Sequence, residues 1–453
     1  MKGNEMSFFK LGKTPVPHRK NTAKMPAVRM TKLPETVLLP MSQHIGAPAV
    51  PVVKAGDKVF VGTLVGEAGG FVSASVHSSV SGTVKKIESY LSAQGRTCPA
   101  IRIESDGLMT PDPSLKAPEI TDFASLSSAA REAGLVGLGG AGFPASVKLS
   151  PSVVDKLDTL ILNGAECEPY ITSDTRTMLD DAEYIKKGIE LVLANSRICS
   201  VIIGIENNKA ECIEKLSSLF EGDSRISVAE MPDKYPQGAE KILIYNLTGR
   251  AVPEGKLPSD VGVLVMNVTS IAFLAKYRET GMPLVEKCIT VDGSAIDNPK
   301  NLIVPVGTSI ADILREVGAD TDKIGKILYG GPMMGIAIYS VDDPILKNNN
   351  AITVLNIKDS LPKRQTACIH CGRCASVCPM GLLPTVFAKA MNVDAAEERA
   401  ERLMSAKINL CIECGSCSYI CPAARPLVET NRLAKADLRE YSQNKKAKEE
   451  KAK

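Results

Sequence analysis

The chain has 453 residues, with 54 Lys and Arg against 51 Asp and Glu and 44% hydrophobic residues, which is enough for about three domains with sizeable cores. A net charge of +3 supplies no general electrostatic attraction to nucleic acid, so no nucleic-acid partner is expected. No apolar run approaches the roughly 18 residues of a membrane span, and the first thirty residues lack the apolar block of a secretory signal. The expectation is a cytoplasmic chain, or one held peripherally on the cytoplasmic face of the membrane.

In chain order, residues 1–34 come first. From Met6 to Pro34 there are seven Lys or Arg and no acid among several prolines, which reads as an extended basic arm without its own core, wrapping something and docking on an acidic partner. Short β-rich segments separated by Gly turns follow over 35–105. This unit resembles the barrel-sandwich fold of biotinyl and lipoyl carriers. The tip of its hairpin falls near Gly70 and Phe71, however, where no lysine amine can be acylated, so a swinging-arm function is not expected.

After a Pro-rich linker (Ser105 to Asp122), "DFASLSSAAREAG" carries Phe123, Leu126 and Ala130 at helical spacing. It leads into "GLVGLGGAGFPASVKL" (Gly134 to Leu149). These glycines satisfy G-x-G-x-x-G, but a Rossmann loop must follow a strand and this one leaves a helix. A glycine loop can still offer backbone N–H groups to a phosphate. Apolar runs at Thr159 to Asn163, Val201 to Ile205, Arg225 to Met231 and Gly262 to Val268 alternate with helical stretches, among them Asp180 to Asn195 and Lys209 to Phe220. That alternation predicts a mostly parallel α/β domain over 120–281. Lys287 to Gly318 reads as strand, turn, strand, helix, a small α+β unit that continues through "YGGPMMG" (Tyr329 to Gly335). The chain is then helical and cysteine-rich from about 360 to 440, and 441–453 reads as a solvated charged tail.

Thirteen cysteines without a secretory signal argue against a disulfide framework. Cys98, Cys199, Cys212 and Cys288 are expected as small buried hydrophobes; Cys167 is the exception, lying inside a loop motif. The other eight form an internal repeat offset by 43 residues, "CIHCGRCASVCP" and "CIECGSCSYICP", each C-x2-C-x2-C-x3-C-P. Three thiolates at i, i+3 and i+6 wrap three corners of a cubane, and the fourth, beside Pro, reaches the other cluster. Two [4Fe-4S] clusters are therefore expected, one on Cys368, Cys371, Cys374 and Cys421, the other on Cys411, Cys414, Cys417 and Cys378. Structural zinc, which prefers paired C-x2-C with four ligands in total, is disfavoured by this duplicated spacing, and His370 is not needed as a ligand. The strong helix formers between the runs predict a helical rather than a β-rich ferredoxin unit.

Four ordered motifs, "GLGGAGFPASVK", "ILNGAECEPY", "YPQGAEKIL" and "VMNVTSIA", resemble the flavin-bearing NADH subunit of respiratory complex I. The resemblance implies FMN and NAD(H) sites. It places Gly137, Gly139, Gly140, Gly142 and Lys148 near the FMN phosphate and ring and Phe143 near the nicotinamide nucleotide, with Asn163, Glu166, Glu168, Gly238, Glu240, Asn267 and Thr269 completing the contacts. Leu138 stands where that family carries Arg, Ala165 where it carries Asp, and Cys167 where it carries a small hydroxyl or similar residue. Hydride transfer at FMN implies no catalytic acid or base. The whole succession of barrel-sandwich hybrid, complex-I-like flavin/NADH α/β domain, β-grasp ligand-binding-type domain (282–357) and double-cluster helical module (360–440) resembles the C component of the Rnf ion-translocating ferredoxin:NAD oxidoreductases. That family implies a peripheral electron-transfer subunit whose partners are the other subunits of a membrane-bound complex, NADH and, indirectly, ferredoxin. A flavin-less iron–sulfur adaptor and a cobalamin reductase of related build are the two competing readings.

Overall fold

The computed structural model describes residues 14–451. Glycine and proline cut the segment after Pro34 into short strands, and these stack as two layers. Thr36–Pro40, Lys58–Val59, Gly82–Leu91 and Thr97–Ser105 form an antiparallel sheet in the order first, fourth, third, second; Val50–Pro51, Leu64–Glu67 and Val76–His77 form the other. Val37, Leu39, Val65, Val84, Ile101 and Ile103 fill the space between them. The hairpin tip is tied down: Arg131 donates to the carbonyls of Gly70 and Phe71.

The helix Phe123–Glu132 precedes the glycine loop, as its periodicity predicts, and is capped by Asp122, whose Oδ1 accepts from Ser125 N at 2.7 Å. Beyond the loop, the four expected apolar runs are strands: Thr159–Gly164, Ser200–Glu206, Ile226–Met231 and Val263–Asn267. All pair in parallel, with Thr159–Gly164 between Ser200–Glu206 and Val263–Asn267. Parallel strands need helical crossovers, which cover both faces and explain why Thr159–Gly164, Ser200–Glu206 and Val263–Asn267 are mostly apolar without alternation, whereas the edge strand Ile226–Met231 leaves Ser227 and Glu230 exposed. Gly188 matters here, because a Cβ on it would meet Ile271 O at 2.3 Å; its absence lets helix Ala182–Ala194 lie against helix Val268–Thr280. The strands end together, so the loops after Gly164, Met231 and Asn267 gather at one edge, where open parallel sheets form ligand crevices.

The α+β unit is a mixed sheet in the order Ala27–Arg29, Lys300–Pro305, Glu286–Asp292, Ala351–Asn356, Ile324–Tyr329, Ile336–Ala337, with helix Ile310–Glu316 packed on it. Its first strand comes from the basic arm, which corrects the expectation that the arm docks on a partner. Residues 14–34 wrap their own chain. Ala27–Arg29 pairs in parallel with Asn301–Ile303, and Thr14 bridges Tyr235. Lys20 Nζ donates to Glu166 O, Glu168 O and Ile171 O at 2.6–2.8 Å, and Arg29 pairs with Glu286. Cationic side chains of the arm thus find carbonyls and acids at home. Residues 6–13 lie outside the described residues.

The C-terminal unit is helical: Arg373–Ser376, Pro384–Ala390, Ala396–Ser405, Ser416–Tyr419 and Leu427–Lys451, around Phe387, Leu403, Ile408, Ala434 and Leu438. Residues 441–451 of the segment expected as a separate tail continue the 25-residue last helix, and Tyr441 packs against that core; residues 452–453 lie outside the described residues. Of the scattered cysteines, Cys98 and Cys212 are buried, whereas Cys199 is exposed at the turn before Ser200–Glu206, a correction to its expected burial.

Candidate functional site

The glycine loop turns back on itself: Gly137 N donates to Phe143 O at 2.8 Å, and Gly142 N to Gly137 O at 3.2 Å. Gly140 (φ +113°) and Gly142 (φ +65°) take left-handed conformations that side chains resist. Between these closures Gly139, Gly140 and Ala141 are exposed, and among the described residues their N–H groups have no acceptor. Consecutive free N–H groups on a concave turn bind anions. A Cβ at Gly139 would meet Asn267 Nδ2 at 2.8 Å, so the loop rests on the end of strand Val263–Asn267. Leu138, in the place of the family's Arg, points the other way, buried in the domain core, while its N–H donates to Ser270 Oγ and its carbonyl accepts from Lys287 Nζ at 2.8 Å.

Lys148 closes the short helix Ala145–Lys148 after the loop. Its ammonium reaches Glu240 Oε1 at 2.5 Å and Val265 O at 3.1 Å, both ends remaining partly exposed. Asn163 Nδ2 donates to Gly238 O at 2.9 Å, and its Oδ1 accepts from Ala165 N. Asn267 caps the helix that follows it, accepting from Thr269 N and Ser270 N. Asn267 Nδ2 and Thr269 Oγ1 each donate to Asp174 at 2.7 Å. The polar residues of the three strand-end loops are thus cross-braced into a floor under the glycine loop, with half-buried Phe143 beside it.

Two of the expected cofactor contacts, Glu166 and Glu168, are engaged within the chain itself. Glu166 is 4% exposed, and its carboxylate accepts from Asp174 N, Thr175 N and Thr175 Oγ1. It caps the helix Ser173–Asp180, whose first N–H groups would otherwise lack acceptors. Glu168 accepts from Met333 N at 2.9 Å and Met334 N at 2.7 Å, and so docks the loop on "GGPMMG" of the β-grasp unit; burial pushes its carboxyl up to about 7 against those two donors. Both acids brace the floor from behind. The sequence reading assigned no role to Asp174, raised to about 6 by burial, to Lys287, lowered to about 8 by burial against the attraction of Asp174, or to Lys20. An inward-facing lysine at the head of the apolar strand "KCITVD" was the available signal.

The eight repeat cysteines line two cavities. One is walled by Cys411, Cys414, Cys417 and, from the other run, Cys378; the other by Cys368, Cys371, Cys374 and, again from the other run, Cys421. The runs share a backbone path, with left-handed His370 and Gly372 in the first matched by Glu413 and Gly415 in the second, so each curls its three cysteines toward one centre. His370 lines the second cavity. The donor set, four thiols around each cavity, fits an iron–sulfur cluster.

The first of these cavities abuts the flavin-type domain. Tyr235, 1% exposed, donates its OH to Cys414 O at 2.7 Å. Val16, Tyr235 and Cys414 form one apolar cluster with Cys167, Met333 and Ile412 against it. Burial raises the Cys167 thiol to about 12, which keeps it neutral packing rather than a nucleophile. Gly415 lies against Met333 O, which a Cβ would meet at 2.4 Å.

Fold and site together define a modular electron-transfer protein, an anion-binding glycine loop over a parallel sheet joined to a double four-thiol module. Known families divide the chain the same way. Residues 8–108 match the RnfC barrel sandwich hybrid domain, 130–276 the Nuo51 FMN-binding domain, and 364–425 the 4Fe-4S dicluster domain. The chain is 43% identical over 384 residues to the C component of the Na(+)-translocating ferredoxin:NAD(+) oxidoreductase complex of Acetobacterium woodii, covering 84% of this chain and 86% of that one. It is 40% identical over 399 residues to the proton-translocating counterpart of Clostridium ljungdahlii, covering 87% of each. Against the corresponding component of the ion-translocating oxidoreductase complex of Pseudomonas aeruginosa the identity is 37%, over 94% of this chain and 55% of the other. The chain belongs to this RnfC family. A chain of an NAD+-reducing [NiFe]-hydrogenase shares the fold, with a TM-score of 0.50 at 18% identity over 72% of this chain and 63% of that one.

Proposed function

We propose that this chain is the peripheral NAD(H)-facing subunit of a membrane-bound, ion-translocating ferredoxin:NAD oxidoreductase complex, lying on the cytoplasmic face. Its assembly with the other subunits of such a complex follows from the names its relatives carry. Among the described residues no helix is long and apolar enough to cross a membrane. One observation carries the reading: the Cys411 cavity is seated on the glycine-loop domain through Tyr235 and on the β-grasp unit through Met333, which supports electron exchange between the flavin-type domain and the cysteine module.

FMN, when bound, supplies the conversion between hydride exchange with NAD(H) and single electrons. The free N–H groups of Gly139, Gly140 and Ala141 would receive its phosphate. Lys148, steadied by Glu240, adds a cation beside the pocket. Asn163, Gly238, Asn267 and Thr269 hold the floor rigid, so that cofactor and nucleotide meet a preorganised surface, with Phe143 on the nicotinamide side. No side chain acts as acid or base. Cys411, Cys414, Cys417 and Cys378 would hold one cluster, in the cavity beside Tyr235; Cys368, Cys371, Cys374 and Cys421 would hold the other.

Anaerobic reconstitution tests this. The chain should retain one non-covalent FMN, NADH should bleach it, and Lys148→Ala should lower flavin retention while Glu240→Ala weakens NADH more than FMN. A chain without flavin, or with flavin that NADH leaves oxidised, rejects the proposal and favours the flavin-less adaptor.

A further inference from the structure

Three carbonyls of the glycine loop are held by groups from outside the domain that carries it. Leu138 O accepts from Lys287 Nζ at 2.8 Å and Gly140 O from Asn348 Nδ2 at 3.2 Å, both donors belonging to the β-grasp unit. Gly142 O accepts from Ile45 N, in the barrel unit, at 3.0 Å. The peptide bonds of the loop are trans, and in a trans peptide the N–H points away from the C=O. Each held carbonyl therefore fixes the direction of the N–H that follows it. These are the N–H groups of Gly139, Ala141 and Phe143, and among the described residues none of the three has an acceptor.

The loop cannot supply this order by itself. Gly140 and Gly142 take left-handed conformations, and without a Cβ they do little to resist rotation of the neighbouring peptides. Leu138 turns its side chain into the domain core and offers the loop no cation. The segment that carries Asn348, by contrast, is braced. Lys347, fully buried, bonds through its N–H to Gln43 Oε1 at 3.1 Å and through Nζ to Ser75 O at 2.5 Å and Gly134 O at 2.9 Å. Leu346 N donates to Asn349 Oδ1 at 2.7 Å. Asn348 Oδ1 is buried and, among the described residues, has no partner. A buried orphan acceptor is costly, so only the bond to Gly140 O accounts for an amide there in place of an apolar side chain.

We propose that Asn348, together with Lys287 and the Ile45 peptide, is a positioning residue of the flavin-phosphate site: holding alternate carbonyls of the glycine loop from two neighbouring domains, these groups aim the N–H groups of Gly139, Ala141 and Phe143 at the phosphate. The proposal rests on the reading of the loop as the place where the phosphate of FMN binds. It adds that residues 130–276, which match the FMN-binding domain, do not complete that site alone. The part of the flavin affinity that comes from the phosphate depends on the docking of the β-grasp and barrel units, through preorganisation of the loop. The part that comes from the flavin ring does not.

The test uses the full chain, anaerobically reconstituted with its clusters and stripped of flavin, with FMN and riboflavin as probes and equilibrium ultrafiltration as the readout. Riboflavin lacks only the phosphate, so the ratio of the two dissociation constants isolates what the phosphate contributes. Asn348→Leu keeps the size of the side chain and removes the donor. It should weaken FMN about tenfold, the worth of one charge-assisted hydrogen bond, and leave riboflavin within about twofold. Asn348→Ala, which cannot crowd the loop, should give the same ratio. Equal weakening of both flavins, or loss of iron or of the folded state in both variants, marks a structural brace and overturns the proposal. An FMN affinity that neither variant changes, or that only Asn348→Leu changes, overturns it as well. Wild type that binds the two flavins equally overturns it and leaves flavin binding standing, whereas wild type that binds neither flavin overturns the reading of the site and the proposal together.

Discussion

Glu168 shows how far a residue's sequence neighbourhood can mislead. In "GAECEPY" it reads as a loop acid facing a cofactor, and only the fold reveals that Met333 and Met334, some 165 residues away, present their N–H groups to it. Nothing local in "GGPMMG" announces that its backbone needs an acceptor. By contrast Gly139 and Gly140 were legible, because a glycine cluster has few uses other than a tight turn or a bare backbone. The buried Glu168 carboxyl, lifted to about 7 from a usual value near 4.5, gives a pH dependence of known sign. Between those values the unfolded chain has released a proton that the folded one keeps, so stability falls as pH rises from about 4.5 to about 7 and is level above. Glu168→Gln keeps an acceptor but cannot ionise. Denaturant melts at pH 5 and pH 8 should therefore show the wild type losing on the order of 2–3 kcal/mol relative to the variant across that interval; parallel pH curves would contradict this account.

At the scale of elements, three of the four parallel strands were legible because strands buried on both faces are written as unbroken apolar runs; the edge strand Ile226–Met231, with Ser227 and Glu230 exposed, was legible by its place in the strand–helix alternation. The arm strand Ala27–Arg29 was not. It has three residues, half-buried or exposed, and its partner lies in another domain, so neither periodicity nor composition betrays it. The cysteine repeat was legible in greater detail than any other element, since ligand spacing is dictated by the size of a cluster rather than by packing. The two cavities draw their fourth walls from opposite runs, and this makes a counterintuitive prediction. Cys378→Ala should alter the electron paramagnetic resonance of the cluster on Cys411, Cys414 and Cys417, leaving a three-iron remnant there, although Cys378 follows the other triplet. Cys421→Ala should do the same to the cluster on Cys368, Cys371 and Cys374. Each variant perturbing the cluster of its own run would refute the exchange.

For the whole molecule, the succession of units could be read in order along the chain, but their seams could not, because a seam is made of single contacts such as Tyr235 to Cys414 that carry no sequence pattern. The iron–sulfur module is joined covalently by the exposed segment from Leu361 to Arg373 and non-covalently by that seam. Trypsin should therefore cut first after Lys363 or Arg364, and the nicked halves should still migrate together on a native gel and separate only in denaturant. Immediate separation on nicking would show that the linker, not the seam, holds the module.

The arm has a consequence of another kind, in the making of the protein. Its residues leave the ribosome long before the edge strand that receives Ala27–Arg29, which begins at Lys300. At roughly 5–20 residues per second, translation takes roughly 15–50 s to supply that strand. For that interval Ala27–Arg29 has no edge to pair with, and the seven basic residues between Met6 and Pro34 keep the waiting segment soluble. A stretch whose charge looks like an address for a partner is then also what allows an early-made part of the chain to be fastened late.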